Sequence, residues 1–258
     1  VTPTGKKDSE LAWTDNIYDP IRESIVDFKQ PAAFKGTGMK IDPKNNYVFP
    51  ILKADSKATV TNEKSKSKSV KEKGSDITLV AGYQSYYNQR VVMSGSIEMC
   101  SNNFTSPQSS KSKKSSNYEL CVNILKWNFQ LKSSLILRDF HHTLVDKSLI
   151  ESGRQKPQEY KLGDNIEVSF EVLERVDNGF KPYTKSDMFI EFIMLNPWVK
   201  EYMTTREDNH YYVQFQAPEH NGVYKIKVDY RKPGYTWLKY ETIAPVRVLN
   251  HDEFPMFI

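Results

Sequence analysis

The 258-residue sequence has no run of about 18 apolar residues, the length a membrane-spanning helix needs, so no part of it is expected to cross a bilayer. Its first ten residues, VTPTGKKDSE, lack the apolar stretch of a secretory signal, and the chain reads as a mature or truncated piece. No internal repeat is found, which sets aside solenoids and propellers. Histidines number five and cysteines two, too few for a dense metal or disulfide framework. What is present in quantity is apolar and aromatic side chain, 38% and 12%, enough for a sizeable core in one or two domains.

The net charge is +4, and its position matters more than its size. The segment KADSKATVTNEKSKSKSVKEK, residues 53–73, holds seven lysines against three acids, an excess equal to that of the whole chain. It has few apolar residues and no helical or strand period, and it is expected to be a solvated or disordered insertion. A second basic tract, Lys111–Lys114, sits in a serine-rich stretch. Neither tract carries the interleaved aromatics that stack on bases, so no nucleic-acid partner is expected.

Periodicity divides the chain near residue 135. In residues 1–135 short apolar runs at Tyr47–Leu52, Ile77–Gly82 and Arg90–Met93 predict strands, the last of them buried. A helix is predicted over Asn117–Leu131, with Leu120, Ile124, Trp127 and Leu131 on one stripe and Ser116 or Asn117 as its cap. This is an α/β portion. In residues 136–258 the period falls to two: Ile166, Val168, Phe170 and Val172 alternate with polar residues, as do Tyr224, Ile226, Val228 and Tyr230. Further strands are predicted near Phe189–Leu195, Tyr211–Gln216 and Thr242–Val248. Turns at Asp177-Asn178-Gly179, Asn221-Gly222 and Pro233-Gly234 punctuate them, as in a β-sandwich.

Catalytic signals are weak one by one. Ser94-Gly95-Ser96 follows a strand but lacks the G-x-S-x-G spacing of a nucleophile elbow. His141 and His142 are adjacent in a strand, so their rings face opposite sides and cannot both hold one metal. His210, His220 and His251 fall in predicted turns. Gly36-Thr37-Gly38 is too short for a phosphate loop. Cys100 and Cys121 stand open between two states, free buried thiols or a bridge closing a loop of about 20 residues for about 3 kcal/mol. Asn103-Phe104-Thr105 is a sequon, meaningful in a secretory compartment.

Several stretches then carry a resemblance in the same order along the chain. FKGTGMKIDPKNNYVFPIL, LVAGYQSYYNQRVVMSGSIEMCSNNF, NYELCVNILKWNF and YYVQFQAPEHNGVYKIKVDYRKPGYTWL are similar to segments of the 48-kilodalton, non-catalytic subunit family of the eukaryotic oligosaccharyltransferase. The end, HDEFPMFI, resembles that family's juxtamembrane segment, with Phe254 and Met256 where tyrosine and arginine are usual. The likeness runs from Phe28 to Ile258. It implies an α+β chain, a partial Rossmann-like α/β layer followed by an antiparallel β-sandwich that leads to a membrane helix absent here. It implies a lumenal position at the endoplasmic reticulum membrane and partners among the other subunits of the complex, including its multispan catalytic subunit. That complex moves a preassembled oligosaccharide from dolichol diphosphate to asparagine in N-x-S/T sequons. No cofactor is implied for this chain, since the divalent metal belongs to the catalytic subunit.

A lumenal home favours the Cys100–Cys121 bridge and makes Asn103 a candidate acceptor. The aromatic turn with Tyr235, Trp237 and Tyr240 is a candidate partner or sugar surface, with at least one of the three expected in the core. A second class stays open, a free-standing lectin-like module using Trp13, Trp198 or Trp237 to stack on sugar rings. A hydrolase is a distant third.

Overall fold

The computed structural model describes residues 2–3, 11–26, 30–61, 70–105, 115–151, 153, 158–177, 179–195 and 197–254. Lys111–Lys114 lies outside them, as does residue 178 of the turn anticipated before Gly179. The chain divides into two compact units, residues 1–134 with 233–236, and residues 135–232 with 237–258.

The first unit contains strands β1 (Thr2–Pro3), β2 (Ala12–Thr14), β3 (Ala32–Phe34), β4 (Val48–Lys53), β5 (Ala58–Thr61), β6 (Val70–Lys73), β7 (Thr78–Gln84) and β8 (Arg90–Ser94). Its helices are α1 (Asp19–Arg22), α2 (Asn102–Thr105) and α3 (Asn117–Asn128). The core packs Ile21, Ile25, Phe34, Ile51, Leu52, Leu79 and Val80 against Leu120, Ile124 and Trp127 of α3. The helix buries Leu120, Ile124 and Trp127 of the predicted stripe, but it stops at Asn128 because Gln130 and Ser133 take positive φ, 57° and 58°, and Leu131, the fourth member, lies beyond its end and is exposed.

Strand pairing departs from the Rossmann-like expectation. The sheet β4–β7–β8 is antiparallel at both pairings, as are β5–β6 and β2–β3. For β7 and β8 the physical reason is loop length: Ser85–Gln89 joins them directly, and a parallel pair needs a crossover of a dozen residues or more.

Two further expectations are corrected here. The lysine-rich segment is not simply solvated: β5 and β6 stand at its two ends and pair, Thr59 opposite Lys73 and Val60 opposite Glu72, with Ala58 and Thr59 buried. Composition read over the segment as a whole hid a short hairpin. And β8 is an edge strand instead of a buried one. Its apolar Val91 and Met93 are exposed, while Arg90 is 7% exposed.

The second unit contains β9 (Leu135–Leu144), β10 (Tyr160–Lys161), β11 (Asn165–Val176), β12 (Gly179–Pro182), β13 (Phe189–Ile193), β14 (Pro197–Tyr202), β15 (Thr204–Thr205), β16 (His210–Gln216), β17 (Gly222–Tyr230) and β18 (Leu238–Arg247), with the short helix α4 (Ser148–Glu151). One sheet runs β10–β18–β17–β13–β14; the other runs β12–β11–β16–β15 with β9 also on β11. The alternating residues meet between them. Ile166, Val168, Phe170 and Val172 of β11 and Tyr224, Ile226 and Val228 of β17 are fully buried. Phe192 of β13 lies 5.2 Å from Phe215 of β16, ring to ring, and Phe140 of β9 lies 4.4 Å from Tyr240 of β18. Two sheets sharing one aromatic-rich core make a β-sandwich.

Candidate functional site

Among the described residues no three His, Cys, Asp or Glu side chains converge as a metal site, and no helix is long and apolar enough to cross a membrane. The Ser94 and Ser96 hydroxyls donate to backbone carbonyls, Ser94 to Ser96 at 3.0 Å and Ser96 to Lys35 at 2.5 Å. Between them Gly95 lies against Gly36 and Thr37, accepting from the Thr37 N–H at 2.8 Å. A Cβ on either glycine would strike the facing carbonyl, so this corner serves close backbone approach. His142 is buried with Nδ1 2.7 Å from the Tyr160 hydroxyl, its pKa lowered by burial and then by His141; His141 faces outward. His210 opens β16 instead of lying in a turn.

The disulfide corner is the best-defined feature among the candidate positions. Cys100 is bonded to Cys121, Cα–Cα 5.9 Å, linking the turn after β8 to the first half of α3. Asn117 organises the approach without acting as a cap. Its amide group makes a two-way pair with the Ala33 backbone, 2.8 Å in each direction, and Nδ2 also donates to the Met99 carbonyl at 2.9 Å. Ser116 occupies the N-cap position with no side-chain bond; the Asn117 N–H is met by Ser115 Oγ at 3.2 Å. Asn103 is exposed on α2, directly after this corner.

The three aromatic candidates do not form one surface. Tyr235 is 3% exposed, and the stretch Pro233–Thr236 belongs to the first unit. Gln84 Nε2 donates to its carbonyl at 2.8 Å, Trp127 Nε1 donates to Gly234 O at 2.7 Å, and Thr236 N donates to Ser133 O at 3.2 Å. The backbone of this stretch is held by those three bonds, and the buried Tyr235 ring is not available as a contact surface. Trp237 is half-buried beneath the Arg231 guanidinium, 5.0 Å from its ring centre, which covers one face that a sugar would need. Tyr240 is partly exposed at 39% and packs on Phe140. Trp13 is half-buried on β2; the Trp198 side chain lies outside the described residues.

Below α3 a buried cation completes the first unit. Arg90 donates from Nη1 to the carbonyls of Trp127 and Lys132, at 2.8 and 3.1 Å, and from Nη2 to that of Ser133 at 2.9 Å. Its carbon centre lies 4.8 Å from the Trp127 ring centre. Burial lowers the guanidinium pKa to about 10. The site lies at the C-terminal end of the helix, where orphan carbonyls and the negative end of the dipole suit a cation.

One surface escaped the sequence reading. On α3 and its C-cap residue, away from the buried stripe, Tyr118, Leu125 and Phe129 are 66%, 53% and 67% exposed, with Val122 half-buried between them. The spacing i, i+4, i+7, i+11 was in the sequence all along. It was masked because a helix apolar on two faces resembles one with a single wide face.

A family model described as the OST48 N-terminal domain matches residues 5–131, and one described as the OST48 middle domain matches residues 147–258. The chain is 31% identical over 255 residues to the dolichyl-diphosphooligosaccharide–protein glycosyltransferase 48 kDa subunit of Arabidopsis thaliana, covering 96% of this chain and 57% of that protein. It is 31% identical to the subunit of the same name from Danio rerio, over 89% of this chain and 52% of that one. With the glycosyltransferase subunit wbp1 of Schizosaccharomyces pombe it shares 30% identity, over 88% and 53%. The chain belongs to the OST48 family. It spans about half the length of the curated relatives it matches.

Proposed function

We propose that the chain is a lumenal portion of a non-catalytic subunit of an oligosaccharyltransferase at the endoplasmic reticulum membrane. The complex as a whole would transfer oligosaccharide from dolichol diphosphate to asparagine in N-x-S/T sequons. The observation that carries this is the continuous likeness, through 96% of the chain, to a protein named as a subunit of that glycosyltransferase. The chemistry of transfer and its divalent metal are assigned to a separate multispan subunit, and anchoring to a membrane helix in the length of the relatives that this chain does not match. Any Rossmann-like layer of the family is assigned to the length of the relatives that this chain does not match.

The work left for this chain is assembly, holding neighbouring subunits in place. The outward stripe Tyr118, Val122, Leu125 and Phe129 supports that role, since large apolar side chains in a row on a helix are what a partner covers. The test is affinity purification of the tagged chain from detergent-solubilised endoplasmic reticulum membranes. Co-elution of the catalytic subunit in fixed proportion is expected; recovery of the chain alone, or only on a glycan resin, would replace the assembly role with a lectin-like one.

A further inference from the structure

We propose that Asn103 is an acceptor for oligosaccharide, and that it accepts before the Cys100–Cys121 bridge closes. Asn103-Phe104-Thr105 is the sole N-x-S/T triplet in the sequence. Asn103 is exposed, but the triplet is wound into the single turn of α2. The N–H groups of Phe104 and Thr105 both donate to the Ser101 carbonyl at 3.0 Å, and the Thr105 hydroxyl donates to the same oxygen at 3.0 Å. A sequon is recognised through its asparagine amide and its hydroxyl residue together. Here that hydroxyl is turned back onto the chain.

Unwinding α2 would free the hydroxyl, and the bridge opposes unwinding. Cys100 lies three positions before Asn103, and its bond to Cys121 ties the start of this segment to α3, whose Leu120, Ile124 and Trp127 are in the core. The Asn117 amide bond to the Met99 carbonyl, at 2.9 Å, secures the same corner. Opening the bridge removes the covalent tie of Cys100 to α3, and α2 itself is a single turn, too short to be stable alone. The presentable acceptor is therefore the reduced chain.

The transfer balances without redox chemistry. Nδ2 of Asn103 attacks the anomeric carbon of a lipid diphosphate-linked oligosaccharide; the new C–N bond forms as the C–O bond to diphosphate breaks, the electron pair leaves with the diphosphate, and the amide gives one proton to a base. Bridge closure is a separate step, in which two thiols pass two electrons and two protons to a disulfide oxidant of the secretory compartment.

This inference shares the lumenal placement proposed above but not the subunit role, and its test is independent of both. The full chain is prepared bridged, and separately reduced and alkylated, then incubated with solubilised oligosaccharyltransferase and lipid-linked donor. Peptide mapping is expected to show the mass of one glycan on Asn103 of the alkylated chain, its loss in Asn103→Gln and in Thr105→Ala, and little or none on the bridged chain. A Cys100→Ser, Cys121→Ser chain, free of alkyl groups, is expected to follow the alkylated one. No glycan on either bridge-free chain would overturn the acceptor assignment. Equal modification of bridged and bridge-free chains would overturn the order of events.

Discussion

The indole N–H of Trp127 donates to the carbonyl oxygen of Gly234, 107 positions away in sequence, at 2.7 Å. Around that bond the first unit joins three distant stretches: the end of α3, the turn at Ser24–Ile25, and Pro233–Thr236. Gly234 has φ +85°, and a Cβ there would overlap Ser24 Oγ. Gly234→Ala is expected to cost about 2 kcal/mol through strain and displacement of Ser24. Trp127→Phe, which keeps most of the packing but removes the donor, is expected to cost about 1–3 kcal/mol by leaving the carbonyl unpaired. Urea unfolding followed by fluorescence of the remaining tryptophans or by circular dichroism measures both.

Arg90 gives the second prediction. Its guanidinium is the charged donor to three carbonyls at the end of α3, those of Trp127, Lys132 and Ser133. Arg90→Met fills the volume but leaves those carbonyls without their charged donor, and an expected loss of about 3 kcal/mol follows. Arg90→Lys should recover part of it, since an ammonium reaches fewer of the three at once. Denaturant midpoints of the three chains decide the order.

Acid stability of the second unit should depend on Glu253. Its carboxyl is held down to about 2, from an ordinary 4.5, by the fork of Arg247 at 2.7 and 2.9 Å and then by the Asn250 N–H at 2.7 Å. A depressed folded-state value means the stabilisation is complete above about 4.5 and disappears as pH falls through about 2. Glu253→Gln is therefore expected to be less stable than the parent chain at pH 7 and equal to it near the folded-state value. A gap that widens on acidification would refute the assignment. Thermal unfolding across that pH range is the measurement.

The outward stripe of α3 separates stability from assembly. Leu125→Ser and Phe129→Ser replace side chains that are more than half exposed, so the folded chain is expected to keep its stability within about 0.5 kcal/mol. Co-purification with partner subunits is expected to fall sharply. Unchanged partner recovery from both variants would move the contact elsewhere.

The bridge gives a stability test apart from its role in modification. Reducing Cys100–Cys121, which closes a 21-residue separation, is expected to lower stability by about 3 kcal/mol in the chain-entropy model. Comparison of the parent with Cys100→Ser, Cys121→Ser in urea measures it.

Legibility in the sequence followed the range of the interaction. The alternating residues of β11 and β17 were read correctly because period two is a property of the strand itself, and all four residues picked on β11 are buried. The same holds for Leu120, Ile124 and Trp127 on α3, but not for Leu131, which falls past the helix end and is exposed. Arg90 and Val91 were read the wrong way round. Hydrophobicity alone places valine inside, whereas β8 is an edge strand whose inward position faces the carbonyls at the end of α3. The aromatic turn was expected to offer surface with at least one of Tyr235, Trp237 and Tyr240 in the core, and spacing could not say which; Tyr235 is the buried one, and Gln84, Trp127 and Ser133 satisfy backbone groups of Tyr235, Gly234 and Thr236, so the turn is buried without an unpaired polar cost.

By itself the sequence determined the two regimes of periodicity, the sequon, the family and the stripe of α3 that enters the core, because each is carried by local spacing or by ordered motifs. Only the tertiary structure decided that the strands of the first unit pair antiparallel, that Cys100 meets Cys121, that Asn117 clamps Ala33 and Met99, and that the other stripe of α3 is uncovered. The reason is that spacing places side chains on a face, while burial, bridging and hydrogen bonding depend on which distant segment packs against that face.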